Sequence, residues 1–405
     1  MRTLHRLAFA LAPLSLAAPL SAQAVLVVDA AGGPGSDYTA LQPALNAAQD
    51  GDLVLVRGGT YDAASAQGKG LTIAAAEGAS PLIRAAMPSQ AGLAFWEIPA
   101  GSTVELRGLR LRGTPGLWVW GSAGPALIDD CELEAQCFFG SSNNAALVVD
   151  ESEVVVTASE LTGASACANQ PAGLRVRGGR AHVFGGEVDG VGFGANALEL
   201  SGTSFAYVAG TALVGGDGAD AYGSGLACSP GTDGGAALWL KQTAAGSPHA
   251  VTRDVALLPG SKGAAAPACP GGEHGVPVEV HGAATHQSEA GASYGLAVDS
   301  PVAAGAPFDL TLEGEPGDVA LVLYSEAFAP AYLPSLAASA APSLAALIVS
   351  PPAVVGAGGE LAVSATLGLP PSQAFLRLAV QGVLVQPDGL SLSAPRSVLV
   401  TAPGV

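Results

Sequence analysis

Between Gly116 and Gly216, small and apolar residues return in a fixed five-residue frame: Gly116-Leu117-Trp118-Val119-Trp120, Ala146-Leu147-Val148-Val149-Asp150, Gly173-Leu174-Arg175-Val176-Arg177 and Ala197-Leu198-Glu199-Leu200-Ser201. The second and fourth positions are always apolar while the third and fifth vary, the period of two of a strand with one buried face. The frame extends upstream to Gly92-Leu93-Ala94-Phe95-Trp96 and Gly70-Leu71-Thr72-Ile73-Ala74, and downstream to Ala237-Leu238-Trp239-Leu240-Lys241 and Pro277-Val278-Glu279-Val280-His281. Unit starts at 70, 92, 116, 146, 173, 197, 237 and 277 give spacings of 22, 24, 30, 27, 24, 40 and 40. Repeats at this period mark stacked solenoids or propellers. Further short strands follow within a unit: Arg180-Ala181-His182-Val183-Phe184 then Glu187-Val188-Asp189 aligns with Ser204-Phe205-Ala206-Tyr207-Val208 then Thr211-Ala212-Leu213. Three short strands per turn predict a right-handed parallel β-helix, since a propeller blade needs about 40 residues and four antiparallel strands. The two longest spacings read as coils with inserted loops, which is also the reading for the glycine-rich segment Gly215 to Gly235.

A solenoid has to cover its open apolar ends. Val25 to Asp29 reads as a strand, and Thr39 with Gln42 three residues later forms a capping box for a short helix to about Gln49. Residues 25–61 are thus the expected N-terminal cap, and the β-helix is expected over 25–287. From Gly291 the pattern changes to short alternating strands such as Phe308 to Leu312 and Val319 to Leu323, separated by Gly and Pro turns. These predict a small antiparallel β-sandwich over 291–405. The whole chain is expected to be all-β apart from the capping helix.

Upstream of this pattern, Arg2 and Arg6 precede an apolar run from Leu7 to Leu20 and then Ala22-Gln23-Ala24, the layout of a secretory signal with its cleavage site. The expectation is a signal peptide over 1–24, a secreted or cell-surface destination, and a soluble monomer without a membrane span. Removing Arg2 and Arg6 leaves 14 basic against 34 acidic residues, a net charge of −20. That balance argues against a nucleic-acid partner, whose phosphates need a basic surface. Five cysteines leave one unpaired. Cys137 and Cys167 follow the third strands of consecutive rungs, and Cys228 and Cys269 fall in the matching loops of the next long pair. The expected bridges are Cys137–Cys167 and Cys228–Cys269, with Cys131 a free buried thiol.

One segment carries a family likeness. Asp37-Tyr38-Thr39-Ala40-Leu41-Gln42, Ala47-Ala48-Gln49-Asp50-Gly51-Asp52, Val54-Leu55-Val56 and Gly59-Thr60-Tyr61 resemble the opening segment of pectin-lyase-like right-handed β-helix proteins. The resemblance implies that fold and a polysaccharide as the partner class. It implies no catalytic residue. Ile128-Asp129-Asp130-Cys131 resembles the paired aspartates of polygalacturonases, but no N-T-D, G-H-G or R-x-K follows. Gln136-Cys137-Phe138-Phe139-Gly140 resembles a pectinesterase stretch without the aspartate before its Phe-Phe, and no R-x-P-x-x-R occurs. The segment from Leu376 to Val400 resembles C-terminal β-modules appended to secreted bacterial proteins.

Stacking the rungs sorts the candidate chemistry. If the second and fourth residues of each unit point in, the outward third positions read Thr72, Ala94, Trp118, Val148, Arg175, Glu199, Trp239, Glu279, and the fifth read Ala74, Trp96, Trp120, Asp150, Arg177, Ser201, Lys241, His281. All four tryptophans fall on this face, and large exposed apolar patches mark contact sites. Trp96, Trp118, Trp120 and Trp239, with Arg175 and Arg177, are the candidate glycan-binding set. Asp150, Glu199, Arg175, Arg177 and Lys241 are the candidate catalytic set should the protein be a polysaccharide lyase or glycoside hydrolase acting on an acidic polysaccharide. A non-catalytic structural solenoid, with the indoles packed away, is the third reading. A second column holds Glu132, Glu160 and Glu187, a candidate calcium site. Asp217 and Asp220 read as turn residues, with calcium binding the alternative, His182 is structural, and His249, His274, His281 and His286 lack a zinc-binding spacing.

Overall fold

The structure is a computed structural model that describes residues 23–87, 89–137, 144–164, 172–222, 228–267, 269–369, 373–387 and 389–403. The expected signal peptide lies outside the described residues except for Gln23 and Ala24. Three all-parallel sheets of ten, eight and eight strands run along the chain, each coil giving one strand to each sheet. We call them sheets I, II and III. In one coil Leu117–Trp120 lies in sheet II, Ala126–Asp129 in sheet I and Glu132–Ala135 in sheet III. Coils stack in strict register, Leu117 over Leu147 and Val119 over Val149, and so on to Leu238 and Leu240 over Val278 and Val280. The inward residues of the central coils form one continuous apolar core.

The corners explain why the coils close. After six successive strands of sheet I, from Val104–Arg107 to His249–Arg253, comes a two-residue turn whose first residue has positive φ: Gly108, Asp130, Ala158, Gly185, Gly210 and Asp254. The second residue, such as Leu109, Cys131 or Ser159, tucks inward and is buried. Cys131 is indeed a free buried thiol, and burial raises its pKa to about 12. After the strands of sheet II the same left-handed residue recurs as Gly68, Glu97, Gly121, Glu151, Gly178 and Gly202. The third corner, from sheet III to sheet II, is where the long connections emerge, including residues 215–237 and 259–277.

The first coil departs from the expected frame. Ala64–Gln67, not Gly70 to Ala74, is the first strand of sheet II, with Gln67 beside Trp96. Thr72–Ala75 pairs with Leu53–Val56 in sheet I. Leu71 and Ile73 supply the apolar signal but serve the neighbouring sheet, whereas Ala64 and Ala66 are too small to announce a strand. The helix is Leu41–Ala47, and it has no side-chain cap. Gln42 instead bonds both backbone groups of Ser65, so the expected capping box does not form. The helix packs on the first strand of all three sheets and buries Leu41, Ala44 and Leu45. Lys69 Nζ holds its last carbonyls, those of Leu45 and Ala48, at 2.6 Å.

Glycine in the two long insertions has a stronger cause than loop flexibility. Segments within 190–196, 215–222, 228–235, 259–267 and 269–277 lie against one another with bonds such as Gly216 N to Ala195 O, Gly235 N to Gly216 O, Gly260 N to Gly235 O and Gly275 N to Gly260 O. A Cβ on Gly216, Gly235, Gly260 or Gly263 would lie 1.8 to 2.0 Å from a backbone oxygen. Backbones therefore touch where side chains would normally stand, a close approach that only glycine permits. The Cys228–Cys269 bridge joins these two insertions as expected. Cys137 is disulfide-bonded. Its expected partner, Cys167, lies outside the described residues.

Beyond Glu289 the chain forms a three-stranded antiparallel sheet, Leu296–Val298, Pro307–Glu313 and Glu360–Thr366, and a seven-stranded sheet built around Val319–Ser325, Phe375–Gln386 and Arg396–Thr401. Phe308, Leu310 and Leu312 of the first share a core with Val322, Val380, Leu384 and Val398 of the second. This C-terminal part covers the outer face of sheet I. Phe375 and Leu399 pack on Leu53, Leu55 and Ala74, and Phe328, Ala341 and Ala379 pack on Leu127, Val155, Tyr207 and Val251. Between these apolar zones sits a charged cluster. Glu105 and Asp129, both 0 % exposed, face Arg107, Arg377 and Arg396. Arg107 bonds Asp129 and the Ser397 carbonyl, Ser397 Oγ donates to Glu105 at 2.5 Å, and Thr157 donates to Asp129 at 2.9 Å. Arg396 Nε stands 3.0 Å from Asp129 Oδ1 but is not aimed along a hydrogen bond, so that contact is ionic.

Three outcomes test these contacts. Asp129→Ala leaves Arg107 and Arg396 without their buried counter-charge and is expected to cost about 3–5 kcal/mol in urea unfolding. Burial raises the Glu105 carboxyl above its ordinary value, with Arg377 opposing the shift. The folded state then keeps a proton that the unfolded chain releases, so this contribution to stability falls as pH rises from the ordinary glutamate value through the raised one. Glu105→Gln should flatten that slope, and parallel stability curves for the two proteins would contradict it. Gly216→Ala forces a methyl into the Gly190 carbonyl and is expected to cost at least about 1–3 kcal/mol, measured by thermal melting.

Candidate functional site

The outward face of sheet II carries the expected columns from residue 94 onward. One reads Ser65, Ala94, Trp118, Val148, Arg175, Glu199, Trp239, Glu279, and the next Gln67, Trp96, Trp120, Asp150, Arg177, Ser201, Lys241, His281. Thr72 and Ala74, expected at the head of these columns, lie buried in sheet I. All four tryptophans are on the one face and half-buried. Trp96 and Trp120 stack with centroids 4.9 Å apart and planes 7° from parallel, and Trp118 leans on Trp120 at 4.7 Å. The strand spacing sets the first distance, since equivalent residues on paired strands lie about 4.8 Å apart.

The candidate catalytic residues separate into two ion pairs. Arg177 clamps Asp150 through Nε at 2.5 Å and Nη2 at 2.7 Å, and Trp118 Nε1 donates to the same carboxylate at 2.9 Å. Arg175 Nε donates to Glu199 at 2.6 Å, and Asn196 Nδ2 donates to the other Glu199 oxygen at 3.1 Å. Both carboxylates are thus occupied by donors from the protein. Lys241 is exposed and sits 5.5 Å from the Trp239 ring centroid, with His281 on the next strand 5.5 Å from it.

Two hollows open on this face, one beside the tryptophan stack and one at Trp239. One, of about 320 Å³, is lined by Trp96 with Gln42, Asn46, Ser65, Gln67 and Lys69. It lies on the side of Trp96 away from Trp120, because Ala64–Gln67 pairs with the opposite edge of the Trp96 strand. The other, of about 380 Å³, is lined by Trp239, Arg175, Asn196, Glu199, Asp233 and Glu279. Gln67, Asn196 and Asp233 escape the sequence reading. Gln67 is masked by the misplaced first coil, while Asn196 and Asp233 sit in connections that carry no strand pattern. A larger cavity of about 580 Å³ lies between the coils and the C-terminal sheets, but its one arginine, Arg107, is committed to Asp129.

Other expected sites resolve differently. Glu132, Glu160 and Glu187 do stack in sheet III. Glu132 is paired with Arg110 and Glu134 with Arg112, each at 2.6 Å and solvent-exposed. The three glutamates form a ladder along sheet III, and among the described residues no group of three or more His, Cys, Asp or Glu is placed to hold a metal ion. Asp217 and Asp220 accept from Ser261 N and Ala264 N, tying one insertion to the other. Burial, then Glu187 and Asp217, pushes the pKa of nearby Asp189 up to about 6. His182 is fully buried under the C-terminal sheets, bonded to Ser339 and Glu153, which is the structural role expected of it.

Compared with models of known families and with curated proteins, the chain matches none. Asp150→Ala is expected to release Trp118 and Arg177 together. The loss should be about 1–2 kcal/mol, toward the low end for charged hydrogen bonds because both partners are partly screened by solvent. Indole emission should shift to longer wavelength; an unchanged spectrum and melting temperature would show that the network contributes nothing.

Proposed function

We propose that this is a secreted glycan-binding protein that holds polysaccharide along the tryptophan face of a right-handed, pectin-lyase-like β-helix, with a β-sandwich over 291–405 docked on its back. The observation that carries the reading is the Trp96–Trp120 stack on an outward sheet face, ending in a hollow rimmed by Gln42, Asn46 and Gln67. A flat apolar ring bordered by the amides of Asn46 and Gln67 suits a sugar, whose C–H faces stack on the ring while its hydroxyls need hydrogen bonds, with Gln42, engaged by Ser65 and Asn46, shaping the hollow. A purely structural solenoid has no reason to leave four indoles partly exposed on one face. The Cys228–Cys269 bridge and the absence, among the described residues, of any helix long and apolar enough to cross a membrane fit an extracellular setting.

Binding is favoured over catalysis because Asp150 and Glu199 are both neutralised by arginine and hydrogen-bonded by a second donor. A carboxylate so engaged is a poor acid or base for a bound sugar. Arg175 and Arg177, the cations suited to uronates, are already ion-paired, which favours neutral over acidic glycans. A lyase or hydrolase is the second reading, favoured by the cleft where Glu199, Asp233 and Glu279 surround Trp239.

Tryptophan fluorescence of the mature protein, titrated with neutral and acidic polysaccharides while unsaturated and reducing-end products are assayed, separates these readings. A spectral shift without products is expected, strongest with neutral chains. Trp96→Ala should weaken binding about tenfold, the equivalent of roughly 1.4 kcal/mol. Products would move the assignment to an enzyme, and emission that no glycan perturbs would remove the binding face.

A further inference from the structure

The two ends of the solenoid are finished differently. At the first coil the helix Leu41–Ala47 covers the core. At the last coil, among the described residues, no strand pairs with the free edges of Ala256–Leu258, Val278–His281 or Thr285–Glu289. Val280 occupies the inward position that Leu240 fills one coil earlier, yet it is 44 % exposed where Leu240 is fully buried. Val276, in the connection before this strand, and Leu258, on the last strand of sheet III, are 43 % and 51 % exposed. The edge of sheet I is blunted by Thr285, His286, Gln287, Ser288 and Glu289, all polar. Sheet III also ends in an exposed apolar strand, Ala256–Leu258, but the edge strand of sheet II, Val278–His281, sets its exposed valine between a carboxylate and an imidazole, so that an antiparallel copy of the same strand complements it; such an edge templates pairing with another chain.

We propose that this edge is covered by a second copy of the chain, tail to tail, through antiparallel pairing of Val278–His281 with itself. Head-to-tail stacking is closed off because the helix occupies the other end, so the contact is isologous and stops at two copies. The strand's own charges specify the pairing. With Val280 opposite the second copy's Val280, Glu279 stands opposite the second copy's His281, and His281 opposite its Glu279. The two carboxylate–imidazole pairs lie on the outward side and the valines face the joined core. Within one copy the same two side chains already contact each other at 2.6 Å, so imidazole and carboxylate make a matched hydrogen-bonding pair. The joint replaces the sequence-based expectation of a monomer. It also fuses the two eight-stranded tryptophan sheets into one surface, which would hold a polymer at two places at once.

Light scattering on the full secreted chain during size-exclusion chromatography tests this without reference to any glycan. The expected mass is that of two chains. Val280→Arg should return it to one chain with an unchanged circular dichroism spectrum, and Val354→Arg, on an exposed C-terminal strand, should leave two. Val280→Cys should give a dimer on non-reducing gels. Glu279→Lys should weaken association at least tenfold, and adding His281→Glu should restore it, because the exchanged charges again oppose each other across the dyad. A monomer at high micromolar concentration, a dimer that survives Val280→Arg, or a ladder of larger assemblies would each overturn the proposal.

Discussion

Parallel pairing between coils is the constraint from which the rest follows. Each coil must repeat the previous one residue for residue at a rise of about 4.8 Å, so whatever a position does in one coil it must do in the next. The apolar columns become a core because Leu117, Leu147, Leu174, Leu198 and Leu238 lie over one another. The same rule aligns the indoles. Trp96 and Trp120 stack within 7° of parallel because their Cα atoms share a register, not because the rings seek each other.

Sheets II and III and the central core were legible in the sequence because their apolar residues alternate with polar ones. The first coil was not, since Ala64-Ser65-Ala66-Gln67 has too little apolar volume to outweigh Leu71 and Ile73. The Thr39–Gln42 spacing pointed to a cap, but Gln42 gains more by satisfying both backbone groups of Ser65, a contact 23 residues away that no local pattern records. The site was half legible. Columns placed the tryptophans and both ion pairs, while Asn196 and Asp233 stand in connections whose shape depends on neighbouring coils.

Sheet I is the instructive case. Its outward residues include Glu105, Arg107, Asp129 and His182, which on a free solenoid would be surface groups. They are buried because the C-terminal sheets bring Arg377, Arg396, Ser397 and Ser339 to meet them. Removing charges from water is repaid only where geometry is well matched, so the cluster fixes one position of the C-terminal part along the coil axis. That part is held as an integral wall, not tethered as a loose appendage.

The three corners of the coil do not have equal freedom. The turn from sheet I to sheet III is two residues long in six successive coils and begins each time with a left-handed residue, so it admits neither insertion nor deletion. The corner from sheet III to sheet II takes every long connection, and these supply Asn196 and Asp233 to the cleft beside Trp239. Descendants of this chain can therefore lengthen, shorten or rewrite the rim of the tryptophan face while the aromatic floor and its register stay as they are. Ligand preference and structural integrity are inherited through separate residues, and new specificities can be sampled at the rim without first dismantling the scaffold.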